Sequence, residues 1–205
     1  MSGVVEAAVA ALRAGEVVVL PTDTVYGLAA TAYREEAARR LYRLKGREEI
    51  QPTALVAASV DLLLECVPEL RGRSGTIART LLPGPYTLVL PNPARRFRWL
   101  NGDRPEAIGV RVPALDGVGK AVLEGAGAVV ATSANLPGER EARTLADVPA
   151  QLLAGSAVAV DGGPLPGIPS TVLDFSGAEP VVLRQGAADA RAAVERVAAA
   201  LARIA

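Results

Sequence analysis

The sequence predicts an α/β fold, a single domain over residues 1–205 with a twisted mixed sheet and flanking helices. Three observations carry that prediction. Short runs rich in Val, Ile and Leu are interspersed, without strict alternation, with segments of helical periodicity. Gly and Pro punctuate the whole chain, and no repeat, low-complexity tract or linker interrupts it. Half of the 205 residues are hydrophobic, which supplies one sizeable core and argues against disorder.

The elements follow in order. Val5, Ala8, Val9 and Leu12 recur at helical spacing, and Gly15 ends that helix. EVVVL is a short buried strand that runs into the turn PTDTVYGL. Residues 34 to 44 read as a helix and TALVAA as a strand. Ser59 is placed to cap a helix containing Leu62 and Leu63. Residues 74 to 82 are helical up to Pro83-Gly84-Pro85. YTLVLP, IGVRVP, AVVATS, AVAVDGG, STVLDFS and PVVLRQG supply further strands. Helices are expected around 115–124, 144–154 and 188–203, the last with an apolar stripe of Val194, Val197, Ala198 and Leu201.

Composition excludes several chemistries. The chain has no histidine, which removes Ser-His-Asp and Cys-His catalysis and histidine general bases. One cysteine without histidine cannot build a zinc site, so no protein metal site is expected. Cys66, in the apolar stretch LLLECV, reads as a small buried hydrophobe. No apolar run is long enough to span a bilayer, and the N-terminus lacks the basic start of a signal peptide, so a cytoplasmic location is expected. The formal net charge is zero. The cations are uneven, however. Arg34, Arg39, Arg40, Arg43, Lys45 and Arg47 crowd one region beside Glu35, Glu36, Glu48 and Glu49, as on a solvated helix face. Arg95, Arg96, Arg98 and Arg104 crowd another.

Four sets of polar residues carry the candidate chemistry. Lys45 and Arg47 are two apart, so an extended segment would aim both cations at one point, an arrangement suited to polyphosphate. Taken alone, they read first as surface charges closing a helix. Ser133 and Asn135 have the same spacing at the end of an apolar run, where ligands of α/β sheets bind; an ordinary turn explains them as well. Thr22 and Thr24 share a face if PTDTVYGL stays extended. Arg111 sits among Val and Ile, where a charge needs a partner: either a ligand carboxylate or an Asp or Glu on a neighbouring strand. Ser170, Thr171 and Arg184 add polar groups at the edges of apolar strands. There is no GxxxxGK[ST] and no GxGxxG after a strand, so an ATP site here would be of another kind.

PTDTVYGL, K-x-R at Lys45 and Arg47, PGPYTLVL, IGVRVP, S-x-N at Ser133 and Asn135, GIPSTVLD and VLRQG occur in the order and spacing of one family. From about Gly15 to Gly186 the chain resembles the YrdC family of threonylcarbamoyl-AMP synthases, in its short single-domain type. The resemblance implies a YrdC-like fold with a concave, positively charged cavity. It implies a nucleotidyltransferase that forms threonylcarbamoyl-adenylate and pyrophosphate from L-threonine, bicarbonate and ATP, with magnesium accompanying the ATP. Downstream proteins would then transfer the group to tRNA. Lys45, Arg47, Ser133 and Asn135 would form the catalytic set and hold the ATP phosphates, with Gln51 and Arg184 on the nucleotide side. Thr24, Arg111, Ala131 and Ser170 would hold threonine. Two positions depart from the family pattern. Gln51-Pro52 stands where Asn-Pro is frequent, and Val56 stands where some members have a histidine that contacts threonine. Two alternatives are a carbamoyl-adenylate-forming enzyme of the hydrogenase-maturation type and a non-catalytic module binding tRNA or double-stranded RNA. Aromatics at 3% supply few stacking residues for the module.

Overall fold

Val5, Ala8 and Leu12 lie on the buried side of helix α1 (Gly3–Ala14), which Gly15 ends in the left-handed region at φ +87°. The computed structural model describes residues 3–48 and 51–204; Glu49, counted above among the charges, lies outside them. Strand β1 (Val18–Pro21) follows, and the chain turns back at once into β2 (Tyr26–Thr31). The sequence reading made PTDTVYGL a strand running into a turn. It is the bend of a hairpin, and its Tyr26 opens a strand whose six residues are all buried.

Helix α2 (Glu35–Lys45) has Glu35 and Glu36 in its first turn and Arg43 and Lys45 in its last, as the helix dipole favours. Gly46 caps it in the left-handed conformation. After β3 (Ala54–Val56) comes α3 (Val60–Cys66), where the Ser59 hydroxyl accepts from Leu62 N–H at 3.1 Å, as the capping pattern predicts. Helix α4 (Gly72–Leu81) precedes β4 (Tyr86–Pro91) and β5 (Ala107–Arg111). Helix α5 (Gly117–Ala126) precedes β6 (Val129–Ser133). The helix expected over 144–154 is broken by Pro149 into a 3-10 turn at Leu145–Asp147 and a short α6 (Ala150–Ala154). Strands β7 (Val158–Ala159), β8 (Thr171–Asp174) and β9 (Val181–Arg184) and helix α7 (Ala190–Leu201) complete the order. Helix α7 buries Ala190, Ala193 and Val197; Ala198, placed in the expected stripe, is exposed. Cys66 is half-buried, its sulfur 3.4 Å from the Tyr33 hydroxyl, and so less enclosed than expected.

The nine strands form one mixed sheet in the order β7-β1-β2-β6-β3-β5-β4-β8-β9. Register divides its two faces sharply. On one face Ala30, Val130, Leu55, Val110, Leu88 and Leu173 lie side by side across six strands. Helices α2, α3, α4 and α7 cover this row to form the main core. One residue along each strand, the opposite face reads Ala29, Ala131, Ala54, Gly109 and Val89 across five strands. Helices α1 and α5 cover part of this second face, over Val18, Leu20, Ala29 and Val129. The rest, floored by small side chains, is open.

Candidate functional site

The open part of the second face is the floor of a cavity of about 310 Å³. Gly27, Ala54, Ala107, Gly109 and Ala131 supply the floor, and small residues there leave the space that larger ones would fill. Among the described residues, four arginines reach the wall, Arg47, Arg104, Arg111 and Arg184, with a single carboxylate residue, Glu141. Thr22, Thr24, Thr53, Thr87, Ser133 and Ser170 add hydroxyls.

The K-x-R and S-x-N pairs meet, though not in the extended geometry expected. Lys45 closes α2, and left-handed Gly46 turns the chain so that Arg47 returns over the helix end, its N–H donating to Tyr42 O at 2.9 Å. The Lys45 ammonium is buried and donates to Ser133 O at 2.7 Å, to Asn135 Oδ1 at 2.8 Å and to Asn135 O. Those bonds occupy all three of its protons. Ser133 Oγ donates to Asn135 Oδ1 at 2.6 Å, and Asn135 Nδ2 donates to Glu139 O at 2.8 Å. Lys45 and Asn135 thus stand behind Ser133, and of this tetrad only Ser133 and Arg47 line the cavity. Burial pushes the Lys45 pKa down to about 8; nearby Glu141 opposes that shift and Arg47 adds to it. Arg47, also lowered by burial, donates to Pro52 O at 2.7 Å. Gln51 is exposed and adjoins Pro52, which lines the cavity.

Across the floor, Arg111 resolves the two options for its partner. Its guanidinium pairs with the Asp23 carboxylate, which comes from the β1–β2 bend rather than from a neighbouring strand, and donates to Thr24 Oγ1 at 2.8 Å. Asp23 is held in turn by Ala114 N–H at 2.9 Å. Thr22 and Thr24 share a side, as predicted, with their hydroxyls 3.1 Å apart. Ser170 sits between Thr87, hydroxyl to hydroxyl at 2.9 Å, and Arg184, whose Nε donates to Ser170 O at 3.0 Å. Burial lowers the Arg184 pKa, Glu141 raises it and Arg111 lowers it again, so these three charges share one end of the cavity. Thr24, Arg111, Ala131, Ser170 and Arg184 all line the cavity, as does Val56.

Among the described residues, three buried side-chain polar atoms have no hydrogen-bond partner: Asn101 Oδ1, Arg111 Nε and Glu141 Oε2. All three residues line this cavity. Buried polar groups are normally satisfied, so three such atoms on residues of one cavity set it apart from the rest of the described structure. Asp23, Asn101 and Glu141 were not singled out from the sequence. Asp23 had a signal, an acid beside the very threonine assigned to the site. Asn101 and Glu141 lie in loops whose course nothing local discloses.

The cations outside the cavity are largely spent on one another's opposites. Arg39 pairs with Glu35, Arg43 with Glu36 and Arg40 with Glu16, which is the solvated helix face predicted for α2. Arg96 pairs with Glu69; on the cavity wall itself, Arg104 pairs with Asp174 at 2.9 Å. Among the described residues no helix is long and apolar enough to cross a membrane.

Fold and site together define an α/β protein with a cavity on the uncovered face of a mixed sheet, its wall carrying Arg47, Arg104, Arg111 and Arg184. Residues 10–186 match the Sua5/YciO/YrdC family model, described as "Telomere recombination", and the chain belongs to that family. It is 33% identical over 176 residues to a threonylcarbamoyl-AMP synthase of Pyrococcus abyssi, covering 85% of this chain and 52% of that one. It is 39% identical over 134 residues to the Methylococcus capsulatus threonylcarbamoyl-AMP synthase, covering 65% and 72% respectively. The chain therefore spans about half the length of the Pyrococcus relative. The crystal structure of Pyrococcus abyssi Sua5 complexed with L-threonine superposes with a TM-score of 0.83 at 31% identity, covering 94% of this chain and 56% of that one.

Proposed function

We propose that this protein is a nucleotidyltransferase that joins L-threonine, bicarbonate and ATP into threonylcarbamoyl-adenylate and pyrophosphate, for tRNA threonylcarbamoyladenosine modification. The observation that carries the proposal is one arginine-walled cavity lined together by Arg47, Ser133, Thr24, Arg111, Ser170 and Arg184. The threonine complex of the Pyrococcus relative and the names of the curated relatives supply the substrates.

Arg47, Ser133 and Arg184 hold the triphosphate in this reading, with Gln51 at the rim. Lys45 and Asn135 act through Ser133, fixing its hydroxyl and adding charge behind the wall. Magnesium would accompany the nucleotide, with Ser133 placed to help hold it, and would supply neutralisation of phosphate charge. Thr24, Arg111, Ala131 and Ser170 hold threonine. Arg111 takes its carboxylate through the unpartnered Nε while Asp23 steadies the other side of the guanidinium.

Threonine's amine nitrogen bonds to the carbon of bicarbonate, and one water is lost as the N-carboxylate anion forms. Its oxygen bonds to the α-phosphorus of ATP as the bond to pyrophosphate breaks, and pyrophosphate leaves with the electron pair. An anionic nucleophile needs no general base in that step, which suits a chain without histidine. The step needs charge neutralisation and alignment, and holding both reactants in one cavity supplies alignment worth up to about 7–11 kcal/mol. The product is passed in the cytoplasm to proteins that modify tRNA.

The test combines pure protein with ATP, magnesium, bicarbonate and labelled threonine. Threonine-dependent pyrophosphate release is expected. Release with carbamoyl phosphate but not threonine would indicate the hydrogenase-maturation type of adenylate formation. Salt-sensitive RNA binding without either activity would indicate a binding module.

A further inference from the structure

Among the described residues, Glu141 is the one carboxylate residue on the cavity wall. The nearby acids Asp23 and Asp174 are engaged by Arg111 and Arg104. Glu141 Oε2 is buried and unpartnered. The backbone on either side of it is pinned: Asn135 Nδ2 holds Glu139 O at 2.8 Å, and Tyr26 N–H holds Ala142 O at 3.0 Å. The segment carrying Glu141 is therefore anchored on both sides, and its charge is felt by both Lys45 and Arg184.

A fixed carboxylate at that end repels a triphosphate unless a cation stands between them. Among the described residues no group of three or more His, Cys, Asp or Glu could hold a metal without help. A hard divalent cation needs only one or two carboxylates when phosphate oxygens and waters complete its shell. We propose that Glu141 is the protein's own ligand to a divalent cation that enters with the nucleotide, so that the cavity selects metal–triphosphate over free triphosphate. This rests on the nucleotide reading of the same cavity.

The test measures ATP affinity calorimetrically on the full chain, with magnesium and with EDTA, for wild type, Glu141→Gln and Glu141→Asp. Manganese spin resonance with and without ATP runs in parallel. Wild type should bind manganese only when ATP is present, and magnesium should tighten ATP binding by ~10-fold or more. Glu141→Gln should bind metal-free ATP more tightly than wild type and lose most of the magnesium gain. Glu141→Asp, which keeps the charge but shortens its reach, should bind metal-free ATP as weakly as wild type and lose part of the gain. An undiminished magnesium gain in both variants would overturn the proposal, as would a loss of threonine affinity alone, which would make Glu141 an acceptor for the amine. If wild type binds no ATP under any condition, the nucleotide reading itself fails.

Discussion

The two faces of the central sheet are built from alternate residues of the same strands and do opposite work. Leu55 belongs to the row under α2, α3, α4 and α7, while its neighbours Ala54 and Val56 look into the cavity. Val110 is core and Gly109 is floor. Size is the whole difference. Large side chains meet helices and exclude water, whereas Ala, Ala and Gly in register across β6, β3 and β5 leave room for a ligand. A Cβ on Gly109 would already stand 3.1 Å from the Thr53 carbonyl oxygen. The fold thus builds its main core on one face and, beyond the part that α1 and α5 cover, its cavity on the other.

The strongest challenge to that division removes charge from the open face. Arg47→Ala should lower turnover by about 10²–10³-fold with an unchanged thermal melt; near-normal turnover would remove Arg47 from the site. A paired exchange on adjacent residues sharpens the contrast. Leu55→Ala should cost about 2–5 kcal/mol in denaturant unfolding, because a cavity opens in the core. Ala54→Leu should leave stability within about 1 kcal/mol but weaken ligand binding ~10-fold or more. Equal stability losses in the two variants would mean that the faces are not functionally distinct.

Proton titration separates the faces by sign. Burial pushes Lys45 down to about 8, so kcat/KM for ATP should fall as pH rises through about 8, and Lys45→Arg should abolish that fall. Stability should move the other way. A lysine near 10.4 when unfolded and about 8 when folded binds fewer protons in the native state between those values, so unfolding free energy rises over that window. Smallest of all, Ser59→Ala removes the α3 cap on the far side of the core. It should cost about 1 kcal/mol in thermal unfolding and leave turnover untouched.

Much of this was legible in the sequence. The apolar runs that became β1, β3, β4, β5, β6 and β8 were plain, as were the Ser59 cap and the helix expected over 34–44, found at Glu35–Lys45. β2 was missed because YGLAAT is mostly small and follows a turn-rich segment, so its pairing with β1 and β6 rather than its own composition makes it a strand. The continuous runs ALV and AIGVR signalled burial on both faces but not that one face ends in a cavity. Lys45 with Ser133 and Asn135 was readable as a pairing of motifs. That the ammonium would turn behind the wall depended on the left-handed Gly46 cap, which the extended reading of Lys45-Gly46-Arg47 overlooked. Asp23 as the partner of Arg111, and Glu141 on the wall, follow from the β1–β2 bend and the 136–144 connection. Their positions are set by contacts 88 residues away in one case and by the Asn135 and Tyr26 anchors in the other.

A crystal soaked with threonine and a non-hydrolysable ATP analogue tests the site most directly. The expected density places the threonine carboxylate on Arg111, its hydroxyl side toward Ser170, and the triphosphate beside Ser133, Arg47 and Arg184, over the Ala54–Gly109–Ala131 floor. Either ligand bound on the helix-covered face, or threonine and nucleotide in separate clefts, would contradict it.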